Sequence, residues 1–457
     1  MKRFVTILLL VFLYANSFGQ YQQDSAFIKS LSDEILVNGK AYDWLHFLTK
    51  KIGHRLSGSN GFNKAVEWGK QTMLEAGSTN VYLQSCSIPV WVRGKEMLSI
   101  ASINKKLINK KINALALGNS NGTGNKFVLG DLVAFKNFDE FYANLNKVKG
   151  KIVLFNYPFN QTFVETFNAY GDAGKYRRSA ASIVAKNGGV AMLTRSLGGG
   201  EDNFAHTGTM VYNDSFPKIP AFALGLKDAD DLYLKAATQN VKLSLQSGAS
   251  FKPDTIGYNV IGELVGTQFP NEIITIGGHL DSWDVGEGAH DDGAGCVQTM
   301  EVLRSFTKLG YKPKRTIRFV LFANEENGLR GGNKYAEEAK SKGEKHVFAL
   351  ESDAGGFTPR GFGFTTSAST LQKIQQWLPL LTPYGTSYLK AGGGGADIGP
   401  LQKLLGTSLA GLQPDSQRYF DYHHTHNDVF ENVNKRELHL GAVNMAALIY
   451  LVDKYGL

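Results

Sequence analysis

An α/β fold, with a mostly parallel central sheet flanked by helices and an inserted α/β subdomain, is what this sequence predicts. Three observations carry that expectation. From Asp254 onward, short apolar runs alternate with helical patterns, the order of a parallel sheet covered on both faces. Polar clusters fall directly after the apolar runs, where such sheets place their sites. A chain of 457 residues is too long for one simple domain and suits two, or one with an insertion.

Taken in order, Lys2-Arg3 precedes the apolar run Phe4 to Tyr14, and Ser17 and Gly19 stand at −3 and −1 of a cleavage point before Gln20. These features predict a signal peptide over 1–19, because the run is short for crossing a bilayer. No cysteine lies near the cleavage point to take a lipid, and no later segment is long and apolar enough to span. The expected protein is exported, periplasmic or secreted, with no membrane contact after cleavage. Asp24 to Val37, Tyr42 to Ile52 and Gly61 to Ala76 have helical periodicity, the last after the polar turn Arg55-Leu-Ser-Gly-Ser-Asn60. Val81 to Pro89 and Trp91 to Ser99 read as strands, Lys105 to Leu117 as a hairpin, and Gly118 to Asn125 as a loop.

Near Phe127 the texture changes to short apolar strands at Leu132, Gly150, Gly189, Ile219 and Val241, with helical stretches at 176–187 and 227–236. This sets an inserted domain at 127–250 and leaves 20–126 and 251–457 for the main domain. In the main domain, Asn259 to Leu264, Glu272 to Ile276, Thr316 to Phe322 and His346 to Leu350 are strands. Helices follow at 294–309, 331–342, 369–380 and 435–454, and Ala391-Gly-Gly-Gly-Gly-Ala396 reads as a mobile loop. The net charge of +8 is scattered, without a basic stripe interleaved with aromatics, so nucleic acid is excluded as a partner. Cys86 and Cys296 make no disulfide framework, and Cys296 is expected as a small buried residue.

Four pieces after predicted strands carry chemistry: His279-Leu-Asp281 with Asp291-Asp292, Glu325-Glu326, Glu351-Ser-Asp353, and His423-His424-Thr-His426-Asn-Asp428. Each is weak alone. Paired acids at a helix start favour the dipole, and a lone aspartate commonly caps a turn. Together, in one order and all at strand ends, they form a histidine-carboxylate set suited to zinc. The residues alone leave open which of the two glutamates ligates and which of the three histidines does.

These pieces resemble the M28 family of zinc exopeptidases, through His-x-Asp, Asp-Asp-x-x-Gly, Glu-Glu-x-Gly-Leu-x-Gly, Ser-Asp-x-Gly and His-Thr-x-x-Asp. Arg55-Leu-Ser-Gly-Ser, Glu351-Ser-Asp-Ala-Gly355, Asp397-Ile-Gly-Pro400 and the histidine run resemble its carboxypeptidase Q branch, and the insert resembles a protease-associated (PA) domain. The resemblance implies two Zn2+ per chain. His279 and Asp353 would hold one, Glu326 and His424 the other, and Asp291 would bridge them, followed by a cis peptide to Asp292. It implies Glu325 as general base, and Asp281 as the residue orienting His279. Asp428 is left between orienting His424 and capping a helix, and Tyr419 and Tyr422 between donors and packing.

The implied substrate is a dipeptide or short peptide with free termini, and the implied assembly is a homodimer. Asp397 stands open between pairing a substrate amine and capping the turn before Gly399-Pro400. His426 stands open between lining the pocket and binding the oxyanion, and His423 as a structural residue. Arg330, Arg360 and Arg418 are equal candidates for an α-carboxylate. An aminopeptidase of the same family is the alternative. A glutaminyl cyclase or a non-catalytic receptor fits less well, because all five ligands and the base are present.

Overall fold

The computed structural model describes residues 21–124 and 126–457; the expected signal peptide, 1–19, lies outside them. Among the described residues there are two eight-stranded sheets. The first is built on a parallel core. Phe269–His279 runs parallel to Arg315–Phe322 and to Lys345–Glu351, which is parallel to Ser408–Pro414. Antiparallel strands flank that core: Ser250–Leu264 with Asn80–Val92 on one side, and Pro359–Thr365 on the other. Tyr388–Ala391 closes the far edge, parallel to Pro359–Thr365.

Alternate residues of a strand face opposite layers, and here both faces are covered. Ile317, Phe319 and Leu321 pack into one core with Ala294–Lys308 and Lys435–Tyr455, through Val297, Met300, Phe306, Met445 and Ile449. Val320 and Phe322 face the other core, with Tyr335 and Ala336 of Arg330–Lys342 and Leu401 of Gly399–Leu405. The helices expected at 294–309, 331–342 and 435–454 therefore exist within a residue or two. The one expected at 369–380 is broken into Ala368–Gln375 and Leu378–Leu381.

Three strands escaped the pattern reading: Pro359–Thr365, Tyr388–Ala391 and Ser408–Pro414. In Pro359–Thr365 and Ser408–Pro414 the apolar alternation is interrupted by glycines that the packing requires. A Cβ on Gly363 would lie 2.1 Å from the Gly392 carbonyl oxygen, and one on Gly411 would lie 2.2 Å from that of Gly394. The run 391–396, read as a mobile loop, is thus laid directly across two strands.

The second sheet has a parallel core of Val128–Phe135, Ile152–Phe155, Ala191–Arg195 and Ala221–Leu224. It begins earlier than the expected boundary at 127, because Glu96–Ile103 pairs with Val241–Ser247 and with Lys106–Lys111, and Ala114–Ala116 pairs with Ala221–Leu224. Val128–Phe135 is half-buried like Glu96–Ile103, and strands buried on both faces begin only with Ile152–Phe155, so the change of texture at 127 does not mark where the sheet starts. Lys106–Lys111 is exposed along its length, Leu107 and Ile108 included. The two sheets are joined through the long antiparallel pair Asn80–Val92 and Ser250–Leu264, in which Val92 lies opposite Ser250.

Candidate metal centre

The strand ends of the first sheet bring the four pieces together. His279 ends Phe269–His279, Glu325 and Glu326 follow Arg315–Phe322, and Asp353 follows Lys345–Glu351. His424 comes after Ser408–Pro414, beyond the short helix Tyr419–Tyr422. Asp291 precedes the helix Ala294–Lys308 and is buried between the two histidines. Its Oδ1 lies 3.2 Å from His279 Nε2, which is 3.4 Å from Asp353 Oδ1. Its Oδ2 lies 3.1 Å from His424 Nε2, which is itself 3.1 Å from Glu326 Oε2.

These separations suit a metal. Two donors each about 2.1 Å from a tetrahedral ion lie about 3.4 Å apart. Asp291 Oδ2 is also buried without a well-formed hydrogen bond. The donors His279, Asp291 and Glu326 converge within 4.8 Å, as do Asp291, His423 and His424. The donor set therefore fits divalent ions on either side of Asp291. His423 stacks on His424, ring centroids 3.5 Å apart, and stays 3.6 Å from Asp291 Oδ2. His424 is the imidazole that also reaches Glu326.

Electrostatics follow from this crowding. Burial alone would raise Asp291, but the imidazoles of His279 and His424 hold its carboxyl well below the usual range. Burial, reinforced by Asp291, pushes Glu326 up to about 7. Burial, reinforced by Asp353 and Glu326, pushes Glu325 well above the carboxylate range. The two glutamates, unlike Asp291, lack a counter-charge sufficient to offset their burial, and a cation would supply it.

Neighbouring acids hold backbone rather than rings. His279 Nδ1 bonds the Asp281 main-chain carbonyl at 3.0 Å, whereas the Asp281 carboxylate accepts from the amides of Glu325 at 2.9 Å and Glu326 at 3.3 Å and from Ser57 Oγ at 3.1 Å. The Asp281 carboxylate thus stands 4.0 Å from His279 Nδ1, its carbonyl makes the short bond to that ring, and its carboxylate holds the backbone of the glutamate pair. Asp292 accepts from the amides of His279 and Gly295, and the peptide Asp291-Asp292 is cis. Asp428 does not bond the His424 ring; it caps, from a distant part of the chain, the start of the helical turn Ala289–Gly293. It accepts from the consecutive amides of Ala289, His290 and Asp291. Asn324 and Leu329, at φ of 64° and 54°, bracket the glutamates with left-handed backbone, which a flat strand-to-helix reading does not reveal.

Arg55 supports the loop from below. Fully buried, it donates to the carbonyls of Leu280, Glu287 and Gly288 at 2.7–2.8 Å. Arg55→Leu is expected to cost about 3 kcal/mol of stability, read as a lower urea midpoint. An unchanged midpoint would show that water replaces these bonds.

A cavity of about 680 Å³ opens beside Asp353. Glu351, Arg360, Lys390, Gln413 and the glycine run line it, and Val164–Asn168 of the second sheet's domain form one wall. That wall is tied down by Lys390–Glu165 at 2.6 Å, by Thr166 Oγ1 to the Ser416 carbonyl at 2.9 Å, and by Gln417 Nε2 to the Val164 carbonyl at 2.9 Å. Of the three arginines, Arg360 lines the cavity, while Arg418 stacks over Tyr422. Asp397 is fully buried behind Glu351, packed against Gly332, and neither carboxylate oxygen forms a hydrogen bond. It neither caps the turn nor faces the cavity, and Glu351 is the acid that does. His426 is exposed and stands outside the ligand cluster. Tyr422 stacks with His290 and Phe357 as a packing residue. Tyr419 is buried near Asp291 and Asp353, which with burial hold its hydroxyl protonated.

Sequence and structure comparisons agree with this geometry. The model of peptidase family M28 matches residues 259–449. Carboxypeptidase Q of Mus musculus is 33% identical over 414 residues, 90% of this chain and 85% of that protein. The Homo sapiens carboxypeptidase Q is 33% identical over 92% of this chain and 87% of its own length. The crystal structure of a peptidase M28 precursor from Shewanella amazonensis SB2B superposes with a TM-score of 0.89 at 31% identity, covering 96% of this chain and 98% of that one. With its histidines and acids gathered at the strand ends and its likeness running through both sheets, the chain belongs to peptidase family M28, in the branch of carboxypeptidase Q.

Proposed function

We propose that the protein is an exported dizinc exopeptidase that hydrolyses dipeptides or short peptides with free termini. The observation that carries this reading is Asp291, whose two oxygens each face a separate histidine-acid pair. His279 and Asp353 would hold one Zn2+, Glu326 and His424 the other, with Asp291 shared. Imidazole and carboxylate donors suit zinc among the divalent metals. When bound, zinc polarises the scissile carbonyl and acidifies water.

The chain's own groups do the rest. Glu325 belongs to neither donor pair, its carboxylate has no hydrogen bond among the described residues, and its amide is pinned by Asp281. It accepts the proton of the attacking water and returns it to the leaving amine. Asp281 and Asp428 fix the backbone from which Glu325, Glu326 and Asp291 project, so the acids meet substrate already oriented. The cavity beside Asp353 is of the size that takes a small ligand rather than a folded chain. Arg360, paired with Asp415 at 2.8 Å, and Lys390, paired with Glu165, would have to exchange those partners for a substrate carboxylate.

One comparison of free, N-blocked and C-blocked dipeptides tests the specificity. Blocking either end is expected to abolish hydrolysis, as for a dipeptidase. Loss on blocking the amine alone would make the enzyme an aminopeptidase, and loss on blocking the carboxylate alone a carboxypeptidase. Hydrolysis of the doubly blocked peptide would refute the exopeptidase reading.

A further inference from the structure

The two halves of the metal centre are supported differently. His279 Nδ1 is held by the Asp281 carbonyl, within the same domain. His424 Nδ1 is held by the carbonyl of Thr207, at 3.2 Å, and Thr207 lies in the inserted domain, 217 residues away in sequence. The contact is reciprocal, since the Thr207 amide donates to the His424 carbonyl at 3.0 Å. A carbonyl cannot donate, so this bond places the proton on Nδ1 and leaves the Nε2 lone pair facing Asp291 and Glu326.

The contact is closely fitted. Gly208 has a φ of 132°, and a Cβ there would lie 2.7 Å from His424 Nδ1 and 2.6 Å from an Arg177 guanidinium nitrogen. Gly208 is bridged to Gly118, whose amide donates to the Gly208 carbonyl at 2.9 Å. Gly118 in turn abuts the indole of Trp283, with no room for a Cβ. The Trp283 ring stands edge-on to His424 at 5.8 Å, and its amide donates to Glu326 Oε1 at 3.2 Å. The Thr207 hydroxyl donates to the Ala116 carbonyl at 2.9 Å and accepts from Arg93 at 3.2 Å. Arg93 also grips Asp284, beside Trp283, through both carboxylate oxygens. Thr207 is thereby locked to both domains.

We infer that the inserted domain is a working part of one half of the metal centre: Thr207 and Gly208 are positioning residues that set the His424 ring and so the affinity of the Glu326–His424 site, while the His279–Asp353 site does not depend on them. This rests on the dizinc reading above. Outer partners of a ligating histidine typically carry ten- to a hundredfold in metal affinity.

The test is a Co2+ titration of metal-free full-length protein, followed by its visible absorption, for wild type, Gly208→Ala, Thr207→Val and Thr207→Ser. Gly208→Ala is expected to weaken one of two sites by about ten- to a hundredfold and leave the other unchanged. Thr207→Val should shift the same site by less, and Thr207→Ser should restore it. Thr207→Val alone decides the matter if Gly208→Ala fails to fold. Wild-type affinities at both sites in these variants, or equal weakening of both, would overturn the inference while leaving the dizinc reading intact. A wild type that takes up only one ion would fail the dizinc reading itself, and the inference with it.

Discussion

Glu325→Ala is expected to keep two metal ions per chain and to lose turnover by about a thousandfold, the scale of a positioned general base. The separation of these two effects follows from the geometry. Among the described residues the Glu325 carboxylate bonds no neighbour and lies in neither donor pair, whereas Glu326 sits 3.1 Å from His424. The backbone beneath both is held through amides by Asp281, and that hold survives truncation of the Glu325 side chain. Metal content and single-turnover hydrolysis measured on the same sample check it. Metal lost while activity survived would show that the two glutamates had exchanged roles.

Asp291→Ala is expected to lower metal content from two ions toward none, where Asp353→Ala removes one. A residue serving a single site costs one ion, but Asp291 presents one oxygen to each histidine. Its removal also leaves His279 and His424 without the carboxylate that both face. Elemental analysis after dialysis at neutral pH gives the answer, and retention of both ions would sink the bridging role.

Much of the site could be read from residue types at strand ends. His279, Asp291, Glu326, Asp353 and His424 converge as the motifs imply, because a parallel sheet gathers distant loops at one edge. Support for those residues was harder to read. Asp281 looked like an imidazole partner by its spacing, yet its carboxylate is spent on two amides, and main-chain carbonyls, which leave no mark in a sequence, orient both histidines. Asp397 carried the right charge in a glycine-rich context, but its burial depends on how the 391–396 run crosses the sheet. Thr207 and Gly208 had no signal at all, since their partner lies in another domain. The strands Pro359–Thr365 and Ser408–Pro414 were hidden by glycines that serve backbone crossing rather than turns.

The antiparallel pair that joins the sheets has a consequence for how the chain assembles. Val92 faces Ser250 in the first sheet, and Glu96 faces Ser247 in the second, so one ladder continues almost without a break into the other. Topologically the stretch between residues 96 and 247, which carries the second sheet, is the enlarged turn of a β-hairpin. Closing so long a loop in an unstructured chain is entropically opposed, by an amount that grows with the logarithm of its length. Once the second sheet has formed, residues 96 and 247 are already neighbours, and the strands beyond them need only register by short-range zipping. The largest sequence separation in this part of the catalytic sheet then becomes, kinetically, a local contact.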